Sequence, residues 1–328
     1  MIMYAKYFTI IFLFLIIELS FAQDRGSISW MGGEGLIIRP SLSQGSTTFS
    51  VAPKDEGSGQ KLEYLPNLKY FKNIQISFWG ATISYMIKED PSAEDKFRKG
   101  KTEFSDYQFH YSIGHFGIDV FNQEFTGMYL NSDQHTEPST YEGKSVNIYQ
   151  QFPAMTQRMS GVNFFYIFNP DRFKYNSMFN QSERQPSSGG SLILTLSYIY
   201  SHIYNESAFL PEEEQTKYGE DGGLKSASLK TLGPLIGHAY NATNGEWYAA
   251  YMLSIGAGIQ KRTIENTSVP DDDTGIVGRL NLRISFGYNG ETLIFGSSAM
   301  FDAVNIVTDK INLSTSSNLV ELFIGARI

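Results

Sequence analysis

The stretch from Ile276 to Ala303 constrains the chain more than any other, because it spells two long amphipathic strands that meet at Asn289-Gly290. On the first arm Leu280, Leu282, Ile284, Phe286 and Tyr288 share one face, and Arg279, Asn281, Arg283, Ser285 and Gly287 share the other, the period-two alternation of a strand. On the second arm Leu293, Phe295, Ala299, Phe301 and Ala303 oppose Gly296, Ser298, Met300 and Asp302. Asn-Gly predicts a two-residue type I′ turn with positive φ at both positions. Each arm holds roughly a dozen residues, where soluble strands average about 5 to 6 and a tilted strand crosses a bilayer in about 9 to 11. One apolar and one polar face over that length predict a barrel wall.

The same alternation recurs in Leu68 to Phe78 and Ala81 to Lys88 around Trp79-Gly80, and in Glu103 to Ile113 and Phe116 to Leu130 around Gly114. It continues in Met159 to Phe168, Ser191 to Ser201, Leu229 to Tyr240, Trp247 to Ile259 and Asn318 to Ile328. At the N-terminal end Thr47 to Ala52 reads as a strand, whereas Pro40 makes Leu36 to Ser41 a poor ladder member. The total is about 12 strands, within a range of about 10 to 14, and even as expected of single-chain bacterial barrels. The predicted fold is therefore all-β, an antiparallel up-and-down transmembrane barrel over residues 46–328 with both termini periplasmic, preceded by an N-terminal periplasmic segment, 23–45.

Three features favour a membrane over a soluble barrel with its apolar face inside: the strand length, an apolar face almost free of charge, and aromatics near strand ends (Tyr198, Tyr200, Trp247, Tyr288). Long and short connections also alternate, as periplasmic turns and outer loops do. Asn169 to Gly189 breaks that rhythm as a long connection on the short-turn side, and is expected to form a periplasmic element or to tuck into the lumen as a plug.

Met1 to Ala22 reads as a secretory signal, with Lys6 before the apolar run Phe8 to Ile17 and Ser20-Phe21-Ala22 at the cleavage site; the run is too short for a membrane anchor. The chain has no cysteine, which removes disulfides, thiolate metal sites, a cysteine nucleophile and a lipoprotein anchor. A net charge of −8 argues against a nucleic-acid partner. No segment after the signal is apolar enough for a spanning helix, so a membrane-embedded chain has to be a barrel.

Short motifs recur in a telling order: Leu65-Pro66-Asn67, Gly100-Lys101-Thr102 with Asp106, and Phe125-Thr126-Gly127-Met128-Tyr129-Leu130. The densest set follows, with Asn163 to Tyr166, Phe168-Asn169, Phe173, Tyr175, Phe179, Gln181, Arg184-Gln185 and Ser188-Gly189-Gly190-Ser191. From about Leu36 to the C-terminus the chain resembles a family of bacterial outer-membrane β-barrel proteins catalogued as a domain of unknown function. It departs from that pattern at Lys174, where serine is expected, and in Pro186 and the acidic loops. The resemblance implies a fold and a location in the outer membrane of a Gram-negative bacterium, and no chemistry. It singles out Asn169, Phe173, Tyr175, Gln181, Arg184, Gln185 and Gly190 in the long connection.

Asp106, His110, Asp119, Asn163, Arg279, Arg283 and Asp302 all fall on the polar faces and are expected to line the lumen. They serve either as a solute-selecting pore lining or as paired charges that fill a narrow barrel, where burial requires internal hydrogen bonds. His110 and Ser112, with Asn122 on the next strand, match the composition of the triad of outer-membrane phospholipase A, but the first two point inward, away from lipid. Pro270-Asp271-Asp272-Asp273 lacks the spacing of a calcium loop and reads as a solvated loop, and the Asn-x-Ser/Thr sequons read as chance.

The function expected from the sequence is a narrow solute channel or a structural or surface protein, without cofactor, metal or catalytic residues. Its partners are then outer-membrane lipid and lipopolysaccharide, with a small solute in the lumen. A phospholipase-like, lipid-active enzyme and a soluble periplasmic binding barrel are the alternatives.

Overall fold

The computed structural model describes residues 35–53, 60–265, 271–307 and 311–328. The expected signal sequence and its cleavage site lie outside the described residues.

The chain forms strands β1 (Leu36–Pro53), β2 (Leu62–Pro66), β3 (Tyr70–Phe78) and β4 (Ala81–Lys88), a helix α1 (Ala93–Lys99), then β5 (Glu103–Ile113) and β6 (Phe116–Leu130). A small surface hairpin, β7 (Thr136–Tyr141) and β8 (Lys144–Tyr149), precedes β9 (Gln151–Ile167). A helical turn α2 (Tyr175–Phe179) leads to β10 (Gly189–Tyr204), β11 (Ser226–Asn244), β12 (Trp247–Glu265), β13 (Asp271–Asn289), β14 (Leu293–Val307) and β15 (Ile311–Arg327). Every paired neighbour in the wall is antiparallel, and β15 returns to β1 with a register running from Ile37 opposite Arg327 to Pro53 opposite Ile311. The result is a closed antiparallel β-barrel of 12 strands. Closure satisfies every strand edge within the wall.

Alternation is inverted relative to a soluble barrel. Leu192, Leu194, Leu196 and Tyr198 on β10, Leu253 and Ile255 on β12, Leu280, Leu282, Ile284 and Phe286 on β13, and Leu322 and Ile324 on β15 are all exposed on the outer surface. Their sequence neighbours Ser191, Ser197, Ser254, Asn281, Ser285 and Glu321 are buried inside. Trp247, Tyr288 and Phe295 form an aromatic cluster at the end with short turns, with Tyr288 stacked on Phe295 at 5.3 Å between ring centroids. Toward the loop end the outer face turns polar, with Lys230, Lys261 and Glu265 exposed. Strands β11, β12 and β13 each have 19 residues. At about 3.4 Å per residue and a tilt near 40°, such a strand stands about 50 Å tall, roughly twice the ~25 Å apolar band of an outer-membrane barrel.

The wall changes strand number along its axis. At the turn end β1 is followed by β3, β4, β5 and β6, but the three middle strands are short. Beyond them β2 alone spans the gap, pairing with β1 at Phe49 to Val51 and with β6 at Met128 to Leu130. One strand thus takes the place of three, and the loop end narrows to ten strands. The first three family motifs meet at this junction. The Thr102 hydroxyl accepts the Asn67 backbone N–H at 2.8 Å and donates to the Gly127 carbonyl at 2.6 Å, while the Asn67 side chain donates to the carbonyls of Asp95 and Gly100. Gly127 sits at φ 90°, and a Cβ there would lie 2.1 Å from the Lys101 carbonyl oxygen, so only glycine fits.

Three expectations are corrected. First, the barrel begins at Leu36 and not at residue 46, because β1 runs unbroken through Pro40. The ladder to β15 skips Arg39 and Pro40 while the ladder to β3 continues across them, so proline's missing donor falls on the β15 side. Second, Asn289-Gly290 is not a two-residue type I′ turn. Asn289 pairs with Ile294, and neither residue has a positive φ. The Asn289 side chain is instead buried and engaged, donating to the Glu183 carbonyl and accepting from Arg327. Among the described residues, Trp79-Gly80 and Glu142-Gly143 are two-residue turns with both φ positive. Third, the stretch between the predicted strands Phe116 to Leu130 and Met159 to Phe168, where no strand is predicted, contains the β7–β8 hairpin and the start of β9.

Candidate functional site

Both ends of the barrel interior are filled. At the loop end the inward residues Phe49, Val51, Tyr64, Met128, Leu130, Phe152 and Met155 pack with Phe209, Leu210, Tyr218 and Leu224 from the connection between β10 and β11. Tyr64 donates to the Phe209 carbonyl and Tyr218 to the Gln60 carbonyl, each at 2.7 Å. Burial pushes the Tyr218 hydroxyl well above the ordinary tyrosine range, which keeps it a donor.

At the turn end the long connection enters the barrel. Phe173, Tyr175 and Met178 are buried against Phe165, Ile167, Ile193, Ala239, Tyr248 and Met252 on the inner wall. Tyr175 stacks on Phe165 at 4.5 Å and on His110 at 5.4 Å. Gln181, fully buried and held at φ 55°, accepts from Arg39 at 3.1 Å and donates to the Tyr248 hydroxyl at 3.0 Å, while its carbonyl accepts from Arg327. Such a left-handed backbone in a residue other than glycine carries strain, held here by bonds on both sides of the residue. Gln185 closes the segment on itself, accepting from the Lys174 N–H and donating to the Arg172 carbonyl. The Asn169 N–H and carbonyl anchor the entry to Ser191 and Phe173, Arg184 reaches Glu291 at the rim, and Gly190 lies where a Cβ would press on the Ala239 carbonyl at 2.7 Å. Asn169, Phe173, Tyr175, Gln181 and Gln185 therefore hold the inward-turned segment, while Arg184 meets the rim and Gly190 packs against the neighbouring strand β11.

Between the two fillings lies a cavity of about 300 Å³ with both charged and apolar side chains in its lining. Asp106, His110, Asp119, Asn163, Arg279, Arg283 and Asp302 all line it. Arg279 grips Asp302 through two nitrogens, Nη2 at 2.7 Å and Nε at 3.2 Å, and donates from Nη1 to Ser197, which donates to Asn163. His110 bonds Asp119 through Nδ1 and the plug residue Asn176 through Nε2. Asp106 accepts from the amides of Gln123 at 2.8 Å and Gln108 at 3.1 Å. Arg283 places its guanidinium 5.2 Å from the centre of the Phe179 ring on the plug.

Sequence reasoning missed a buried tie in the wall. Arg39 and Glu321 form a buried ion pair at 3.2 Å, with Gln75 accepting from Arg39, and Ser41, Asn73 and Ser298 donating to Glu321. Arg39 was hidden by its neighbour Pro40. Glu321 carried a signal, the lone acid on the inward face of its strand, but its partner is far away in the chain. His110, Ser112 and Asn122 do not come together: Asn122 accepts from Ser160 on the exposed outer face, while His110 turns to Asp119 and Asn176. Among the described residues no group of three histidines or acids is placed to hold a metal ion. Pro270 lies outside the described residues, and Asp273 is paired with the buried Arg262 at 2.9 Å.

The family model described as Domain of unknown function (DUF4421) matches residues 32–327. The chain belongs to this family. Its motifs are now located: one set ties the junction where twelve strands become ten, and the other forms the plug and its socket. No curated protein matches the chain. Among solved structures, the outer membrane protease OmpT from Escherichia coli is 7% identical with a TM-score of 0.42, covering 92% of this chain and 100% of that one. The P. putida toluene transporter TodX is 6% identical with a TM-score of 0.30, covering 93% of each chain. The Ralstonia pickettii toluene transporter TbuX is 7% identical with a TM-score of 0.30, covering 91% of this chain and 90% of that one. At these scores the likenesses carry no functional argument.

Proposed function

We propose that this protein is an exported outer-membrane β-barrel that holds its lumen shut with the segment 169–189 and takes a small solute into the cavity between plug and loop-end core. The observation that carries this is the docking of Gln181, which bonds both Arg39 and Tyr248 from inside the barrel while a cavity of about 300 Å³ stays unfilled beside it. A volume near 300 Å³ is the lower end of what small-molecule sites occupy. The exposed leucines and isoleucines of β10 to β15 supply the surface that lipid would cover, and the aromatic cluster at Trp247 supports one interface. Outer-membrane lipid and lipopolysaccharide are then its surroundings, and the polar outer faces beyond the belt stand above them.

Two measurements test this. Membrane fractionation with heat-modifiable gel mobility addresses the barrel in its membrane; release by osmotic shock with no mobility shift overturns it. Planar-bilayer recording of refolded protein addresses the shut lumen. Near-silence broken by brief openings is expected, and a steady solute-permeable current from the wild-type protein would replace the plugged barrel by an open channel.

A further inference from the structure

Among the described residues, ion pairing around the cavity leaves two charged side chains with no opposite charge at ion-pair distance. Arg39 pairs with Glu321 and Arg279 with Asp302, while His110 holds Asp119 by a hydrogen bond. Arg283 has no hydrogen bond or ion pair among the described residues, and its buried Nε has no acceptor. Phe179 meets the guanidinium as a ring and so accepts none of its N–H groups. Asp106 is the counterpart: 1% exposed, it receives only neutral amide donors and has no cation beside it among the described residues. A buried charged group that no opposite charge reaches at ion-pair distance keeps hydrogen-bonding capacity unmet, an arrangement that a ligand would relieve.

The two sit on opposite walls. Asp106 belongs to β5 and Arg283 to β13, and these strands stand half-way round the ring from each other. Both side chains line the same cavity. We propose that the cavity is a binding site for a small zwitterionic solute, whose anionic group is received by the Arg283 fork and whose cationic group is received by Asp106. A planar guanidinium with free in-plane donors suits a carboxylate or another oxyanion, and a carboxylate already holding amide donors keeps lone pairs for an ammonium. The contact of Arg283 with Phe179 makes the plug part of the site, so occupancy and plug position are linked.

This inference names the ligand class of the cavity described under the proposed function and rests on that assignment. Its test uses the refolded full-length protein in detergent and a series of ω-amino carboxylates from glycine to 6-aminohexanoate, with hexanoate and hexylamine as single-charge controls. Titration calorimetry is expected to show one chain length binding at least about tenfold more tightly than either control, with Arg283→Gln and Asp106→Asn each lowering that affinity by about tenfold or more. Arg283→Lys, which keeps the charge and loses the fork, is expected to bind at intermediate strength and serves if the glutamine variant does not give the folded gel band. Binding of no member of the series, equal binding of hexanoate, or unchanged affinity in the variants overturns the proposal. Because calorimetry in detergent is independent of conductance, a plugged barrel that ignores zwitterions would reject the ligand class and leave the shut lumen standing.

Discussion

Gln181 and Arg39 lie 142 positions apart in the chain, and the Arg39 guanidinium donates to the Gln181 side chain at 3.1 Å. This bond joins the plug to the wall at the point where Arg39 also pairs with Glu321, so the plug is docked onto the same charged cluster that closes the barrel.

Gln181→Ala keeps the left-handed backbone and loses the bonds to Arg39 and Tyr248. The plug is expected to be weaker by about 2 to 3 kcal/mol, raising open probability in planar bilayers by roughly 30- to 150-fold. Gln181→Gly loses the same bonds but relaxes the backbone by about 1 kcal/mol and is expected to fall between the two. Alanine and wild type opening equally often would remove Gln181 as the latch.

Thr102→Val strips the hydroxyl that serves Asn67 and Gly127 at once, leaving a buried N–H and a buried carbonyl without partners. A loss of about 2 to 3 kcal/mol is expected, read as a lower midpoint for the shift between folded and unfolded gel bands, whereas Thr102→Ser is expected to cost under about 1 kcal/mol. Gly127→Ala meets the Lys101 carbonyl and is expected to cost at least about 2 kcal/mol by the same measurement.

Removing one member of the buried pair is expected to be worse than removing both. Arg39→Met leaves the Glu321 carboxylate with neutral donors only and is expected to cost about 3 to 5 kcal/mol, while Arg39→Met with Glu321→Leu recovers most of the loss. A double-mutant cycle on the unfolding midpoints gives the coupling; additive losses would show that the two side chains act independently.

The position of the lipid belt predicts a depth-dependent penalty for charge. Ile255 lies in the exposed apolar face of β12, and Thr263 lies on the same strand near its polar end. Ile255→Arg is expected to lower folding stability in phospholipid vesicles by about 2 to 4 kcal/mol and Thr263→Arg by about 0 to 1 kcal/mol. Equal effects at the two sites would contradict the membrane boundary placed between them.

The inward placement of the lining residues was legible because it rests on parity. Arg279, Arg283 and Asp302 share the cavity because strand side chains alternate, and the same rule places Asp106, His110, Asp119 and Asn163 there. The partners were not legible. Nothing local distinguishes Arg279, which grips Asp302 from the adjacent strand, from Arg283, which has no such partner among the described residues. Asn289 misled for a related reason: its dipeptide fits a tight turn, but its side chain is recruited by Glu183 and Arg327, and the connection lengthens around that anchor.

The sequence by itself determined which side chains share a face of each long strand and that the chain builds an antiparallel barrel, because period-two alternation and strand length are local properties of the backbone. It also marked 169–189 as out of rhythm with the other connections. Only the tertiary structure decided that this segment turns inward, that one short strand replaces three at the loop end, and that Arg39 meets Glu321 across a separation of 282 positions. Those outcomes depend on which strands become neighbours when the wall closes, and closure is a property of the whole circumference that no local pattern encodes.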